Sequence, residues 1–196
     1  GNGKAVMVKN SDVTNVKEVT APYHAGGYIG IMRSGSAAEA GDATGELLNS
    51  VLGKILSLKE LASVLQAASS KIANCKVSGI EKENEGLTVI ADRGSDNAEG
   101  YRYAGGFGGL VKAGAVAEIG TESSILTKVV DLTGLLSLVN AFVPVISNAS
   151  VRSVKDGFTV HVTGTLEKDS TNDADAGSAG GFIGCGTGVQ ISNSDV

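Results

Sequence analysis

AGGFIGCGTGVQISNSDV, residues Ala179 to Val196, contains both elements that organise this chain. Its first six residues return as AGGYIG at Ala25 to Gly30 and as AGGFGG at Ala104 to Gly109. Its closing Asn-x-x-Val element returns as NSDV at Asn10, NCKV at Asn74 and NASV at Asn148. The two ends carry matching text, VMVKNSDV at Val6 to Val13 and VQISNSDV at Val189 to Val196. The closing residues thus read as the start of another repeat, and the chain as a piece cut from a longer array. Self-similarity of this kind marks stacked repeats, in which no single copy can bury its own apolar face. The expectation is one repeat-built domain over 1–196, with copies at about 10–73, 74–147 and 148–192. Its core would include Tyr28, Phe107 and Phe182 at one equivalent position.

Much of the intervening text is strand-like. Val6-Met7-Val8, Leu87 to Ile90, Phe158 to Val162 and Val189-Gln190-Ile191 are short β-branched runs bounded by Gly, Asn, Asp and Ser. The AGG segments read as further strands entered through tight glycine corners, where close packing or a positive φ would exclude a side chain. Two stretches have a different period. Leu52, Ile55, Leu56, Leu58, Leu61 and Leu65 match Leu126, Val129, Val130, Leu132, Leu135 and Val139 at a constant offset of 74, with i, i+3, i+4 spacing. Ser57 and Asp131 fill the same slot and suit an N-cap, and Ser57-x-x-Glu60 reads as a capping box. Each insertion is therefore predicted to be a pair of short helices, over about 45–70 and about 121–146. The fold class expected is mainly β: a right-handed parallel β-helix (solenoid) with two inserted α-helical hairpins.

Spacing constrains how such copies stack. Copy three runs from Asn148 to Asn193, or 193 − 148 = 45 residues, and copy two from Asn74 to Asn148, or 148 − 74 = 74. Strands stack about 4.8 Å apart whereas packed helices need about 8–10 Å, so one helical insert per rung would clash. Two rungs of about 22 residues per copy, rising about 9.6 Å, would remove the clash. The competing reading makes SVRSVKDGFTVHV, Ser150 to Val162, a local β-hairpin turning at Asp156-Gly157.

The third copy, AGGFIGCGTGVQISNSDV, resembles the glycine-rich GLUG-type repeat of bacterial surface and adhesin-like proteins. The shared pattern is a GG-apolar-x-G run, a glycine turn, and a strand ending in Ile-x-Asn-Ser-x-Val. The second copy, AGGFGGLVKAGAVAEIG, keeps the first half, and the first, AGGYIGIMRSGSAAEAG, diverges after Ile31. The resemblance covers about a third of the chain, and the helical insertions depart from it. It implies a parallel β-helix on an exported protein.

Composition narrows the function classes. Glycine supplies 28 of 196 residues, about twice ordinary usage. With 16 basic and 21 acidic residues the net charge is −5, and no Lys/Arg cluster offers the footprint that nucleic acid requires. No apolar run reaches the ~18 residues of a membrane span. Four Tyr, four Phe and no Trp leave no large aromatic platform visible in the sequence. Cys75 and Cys185 lack CxxC or His neighbours and read as two free buried thiols or as one disulfide.

Candidate chemistry is thin. His24 and His161 lie in different copies without a partner pattern and read as ordinary rung residues. No GxSxG, HExxH, P-loop or dinucleotide fingerprint occurs. The acidic stretches Asp92 to Glu99 and Asp169 to Asp175 read as solvated loops or, alternatively, as calcium ligands without an EF-hand arrangement. No catalytic, cofactor or metal residue is assigned. The expected function is a non-enzymatic structural or adhesive segment of a secreted, cell-surface bacterial protein, monomeric as a fragment. Its partner would be a host or cell-wall protein or a glycan. The alternatives are a carbohydrate-active enzyme or carbohydrate-binding module on the same scaffold, and a protein-interaction module on the helical flank.

Overall fold

The computed structural model describes residues 1–35, 69–80, 86–92, 101–114, 143–154, 157–163 and 177–196. The first strands are β1 (Asn2–Lys4), β2 (Met7–Lys9), β3 (Asp12–Val13), β4 (Glu18–Ala21), β5 (His24–Gly26) and β6 (Ile29–Arg33). A second set follows: β7 (Lys71–Ser78), β8 (Thr88–Asp92), β9 (Arg102–Gly105) and β10 (Gly108–Lys112). The third comprises β11 (Val145–Arg152), β12 (Thr159–Thr163), β13 (Gly177–Gly180) and β14 (Ile183–Thr187), and β15 (Gln190–Ser192) closes the chain.

These strands form four sheets, and every pairing is parallel. Sheet I has the order β1-β6-β10-β14 and sheet II the order β15-β11-β7-β2, with β3 also on β7. Sheet III is β12-β8-β4 and sheet IV is β13-β9-β5. The chain visits sheets II, III, IV and I in that order three times before entering sheet II again. Each copy thus contributes one level to every sheet.

This corrects both stacking expectations. A copy does not hold two rungs, because each strand of one copy pairs directly with its counterpart in the next, as Asn74 and Asn148 do on the equivalent strands β7 and β11. The hairpin reading also fails: β11 and β12 lie in different sheets, each parallel to the copy before, β11 on β7 and β12 on β8. The helical insertions predicted over about 45–70 and about 121–146 lie outside the described residues for most of their length, 45–68 and 121–142. Their predicted C-terminal ends do lie within the described residues and are not helical. Ser69 and Ser70 sit just before β7, and Val145 and Ile146 open β11, paired with Lys71 and Ile72. Pro144, fully buried, has no N–H to offer a helix or a ladder and stands where the strand begins.

Parallel in-register pairing brings like side chains together. Ile72 lies over Ile146, Val77 over Val151, and Val89 over Val160. All but Val160 in these pairs are at most 1% exposed. A β-branched residue suits such a column because its stiff χ1 packs against the same shape on the next strand. The aromatic column is present as well. Tyr28 stacks on Phe107 with centroids 4.7 Å apart and planes within 3°, and Phe107 on Phe182 at 5.0 Å and 9°. The outer levels are less protected, so Val8, Val19 and Val160 are only partly buried against this core.

The repeated glycines allow strands of sheets IV and I to approach closely. A Cβ on Gly105 would lie 2.6 Å from the Gly184 nitrogen, and one on Gly109 would lie 2.6 Å from the Gly30 oxygen. No side chain fits such gaps. The reason is proximity rather than backbone angle, since Gly188 alone among the described glycines has a positive φ.

Asparagine serves the left-handed positions instead. Asn10, Asn74, Asn148 and Asn193 have φ of 53°, 54°, 49° and 48°. Asn tolerates this region better than other side chains because its short amide bonds locally. Here the amides also bond along the stack: Asn74 Nδ2 donates to Asn10 Oδ1 at 2.9 Å, and Asn148 Nδ2 to Asn74 Oδ1 at 3.0 Å.

Candidate functional site

Where the glycine corners end, sheets IV and I bound an open groove of about 460 Å³. Tyr23, His24, Tyr101 and Tyr103 line it from the sheet IV side, and Leu110, Lys112, Cys185 and Thr187 from sheet I. Register assembles it. His24 is the Cα partner of Tyr103, which brings residues 79 apart in sequence (103 − 24) onto adjacent strands. Leu110 pairs with Cys185, and Lys112 with Thr187. Tyr101 and Tyr103, two apart on one segment, hold their rings 4° from parallel with centroids 6.1 Å apart. The His24 ring tilts onto Tyr103 at 5.4 Å, and Tyr23 lies 6.4 Å from His24.

Three of the four tyrosines therefore line one groove, a grouping that the sequence did not reveal. Tyr101 is 47% exposed and forms the open edge. Burial, reinforced by the positive charge of Arg33, lowers the His24 pKa below its ordinary value, so the imidazole is neutral at pH 7. Burial raises the Tyr103 phenol above its usual range, with the Cys185 thiol adding to the effect. The groove thus presents neutral donors and acceptors on aromatic rings, with one cation, Lys112, at its wall.

The other residues considered from the sequence are dispersed. His161 lies on β12 in sheet III, exposed, away from β5 and His24. Cys75 is buried in sheet II, where its thiol bonds the Ala73 oxygen at 3.2 Å, while Cys185 borders the groove in sheet I. Both are free thiols, so the disulfide alternative does not hold. The acidic stretches lie outside the described residues except for Asp92, at the end of β8. Among the described residues no three His, Cys, Asp or Glu side chains gather as a metal site. Arg102 is one buried charge that sequence reasoning did not single out. It is 4% exposed and donates from Nη1 to the Thr163 oxygen at 2.6 Å, while its Nε and the Thr163 hydroxyl lack partners.

No family model, curated protein or solved structure matches the chain.

Proposed function

We propose that the chain is a right-handed parallel β-helix of the GLUG-repeat type and serves as a non-enzymatic structural or adhesive segment of a secreted bacterial surface protein. The observation that carries this reading is the parallel pairing of consecutive copies in all four sheets, with asparagine on asparagine and ring on ring. A column of this kind extends by adding copies, and its exposed flanks are available for contact. Right-handedness is the near-universal sense of crossovers between parallel strands. The two insertions connect sheet I to sheet II on consecutive levels, between β6 and β7 and between β10 and β11. On this reading each is a helical hairpin projecting from the same flank.

The second reading, a carbohydrate-binding module, is favoured by one specific observation, the stacked Tyr101–Tyr103 pair at an open edge. The surface assignment is tested by antibody labelling of intact source cells against the same cells after lysis. Labelling of intact cells, abolished by brief external proteolysis, is the expected result. Signal that emerges only after lysis would overturn the surface location.

A further inference from the structure

The outer face of sheet I carries a cationic column beside the tyrosines. Lys4 is the Cα partner of Arg33, and Arg33 of Lys112, all three exposed. Neighbouring strands lie about 4.8 Å apart, and like charges placed directly opposite on a sheet oppose pairing. Arg152 pairs with Asp195 in sheet II and at its edge. Arg33 and Lys112 have no carboxylate partner among the described residues. A register that sets Arg33 against Lys112 is better satisfied when an anion is bound there.

The tyrosines specify the rest of that anion. Tyr101, 47% exposed and stacked on Tyr103 with planes within 4°, presents a flat amphipathic ring face. Tyrosine supplies such a surface at low entropic cost, and its hydroxyl can bond the edge of whatever lies on the ring. A pyranose ring has an apolar C–H face and a hydroxyl rim, the complement of that surface. A groove of about 460 Å³ lies within the range that encloses small ligands. Its wall adds the Lys112 ammonium and the Thr187 hydroxyl, which succeeds Lys112 in the same column. Arg33, the Cα partner of Lys112 on the adjacent strand, brings a guanidinium able to bind a carboxylate with two hydrogen bonds.

We propose that this groove binds an acidic oligosaccharide, with one hexuronate ring lying on Tyr101, which Tyr103 backs, and its carboxylate held by Lys112 and Arg33. The remainder of the molecule, net acidic, repels a polyanion, so binding is confined to this column and weakens as salt screens it. The proposal is independent of where the protein resides in the cell: intact-cell labelling does not depend on the groove, and saccharide binding does not depend on export.

Calorimetric titration of the full chain with a linear hexuronate tetrasaccharide tests it. The controls are a neutral hexose tetrasaccharide and a short oligothymidylate. Saturable binding of the uronate is expected, with the neutral sugar at least about tenfold weaker. Tyr101→Ala and Lys112→Gln, both at exposed positions, should each weaken the uronate about tenfold while leaving the circular dichroism unchanged. Absence of uronate binding to the unmodified chain would overturn the proposal. Undiminished binding by both variants would overturn it too, as would equal or tighter binding of the neutral sugar or the oligothymidylate.

Discussion

Asn74 fills two roles that can be separated. Its backbone holds φ = 54°, and its amide both donates to Asn10 and accepts from Asn148. Replacing it with Ala forces a Cβ-bearing residue into the left-handed region, at about 1–2 kcal/mol. It also removes two exposed amide bonds, each contributing at most about 1 kcal/mol net. Glycine accepts the angle but loses the amide bonds, and its greater freedom when unfolded adds a smaller cost of about 0.5–1 kcal/mol. Urea midpoints should therefore rank unmodified above Asn74→Gly above Asn74→Ala. Equal midpoints for the two variants would show that the left-handed turn contributes nothing. The recurrence of these asparagines was legible in the sequence, although their left-handed backbone was not read from it. The tyrosine groove was not legible. Tyr23, Tyr101 and Tyr103 share no repeated motif, and the offset joining His24 to Tyr103 is 79, whereas the insertions repeat at 74. In sheet II the first offset is 71 − 7 = 64, and in sheet III 88 − 18 = 70. Connections of unequal length leave no single period from which side-chain neighbours could be read.

At the level of the strand pair, the AGG-apolar-x-G segment works by bringing backbone against backbone. Two glycines of the second copy make a controlled comparison. A Cβ at Gly105 meets main-chain atoms, the Gly184 nitrogen at 2.6 Å and the Ile183 Cα at 2.8 Å, which cannot move without parting sheets IV and I. A Cβ at Gly108 meets only side-chain methyls, Val111 Cγ2 at 3.3 Å and Ile183 Cγ2 at 3.6 Å. Gly105→Ala should cost about 3 kcal/mol or more, whereas Gly108→Ala should stay within about 1 kcal/mol. Thermal melts of the two single variants check this, and similar losses at both positions would refute the close-approach account. The sequence pointed to these glycines as geometric, and the Tyr28–Phe107–Phe182 column could be read from the residue that follows each pair. It did not distinguish crowding from a positive φ, because both demand the same residue. The end of the second insertion shows a related ambiguity. Val143-Pro144-Val145-Ile146 continues an apolar run that began at helical spacing, and a short apolar run does not show by periodicity where helix gives way to strand.

For the whole molecule, the proposed coil implies that one complete level can be removed and the break will close. Excising residues 74–147 joins Ala73 to Asn148, two positions that follow one another in the pattern of sheet II, since Asn148 is the structural counterpart of Asn74. The hybrid strand would run Lys71-Ile72-Ala73-Asn148-Ala149-Ser150-Val151-Arg152. Its successors would then meet the first copy directly. β12 would pair with β4, because each already pairs with β8, and β13 with β5 through their shared partner β9. Tyr28 would stack on Phe182, and the Asn148 amide would reach Asn10. Nearest-neighbour stability falls with each interface removed, so the shortened chain should melt lower yet keep a cooperative transition and a β-type spectrum. A shortened chain that lost its cooperative transition or its β-type spectrum would mean that the copies do not stack as interchangeable levels.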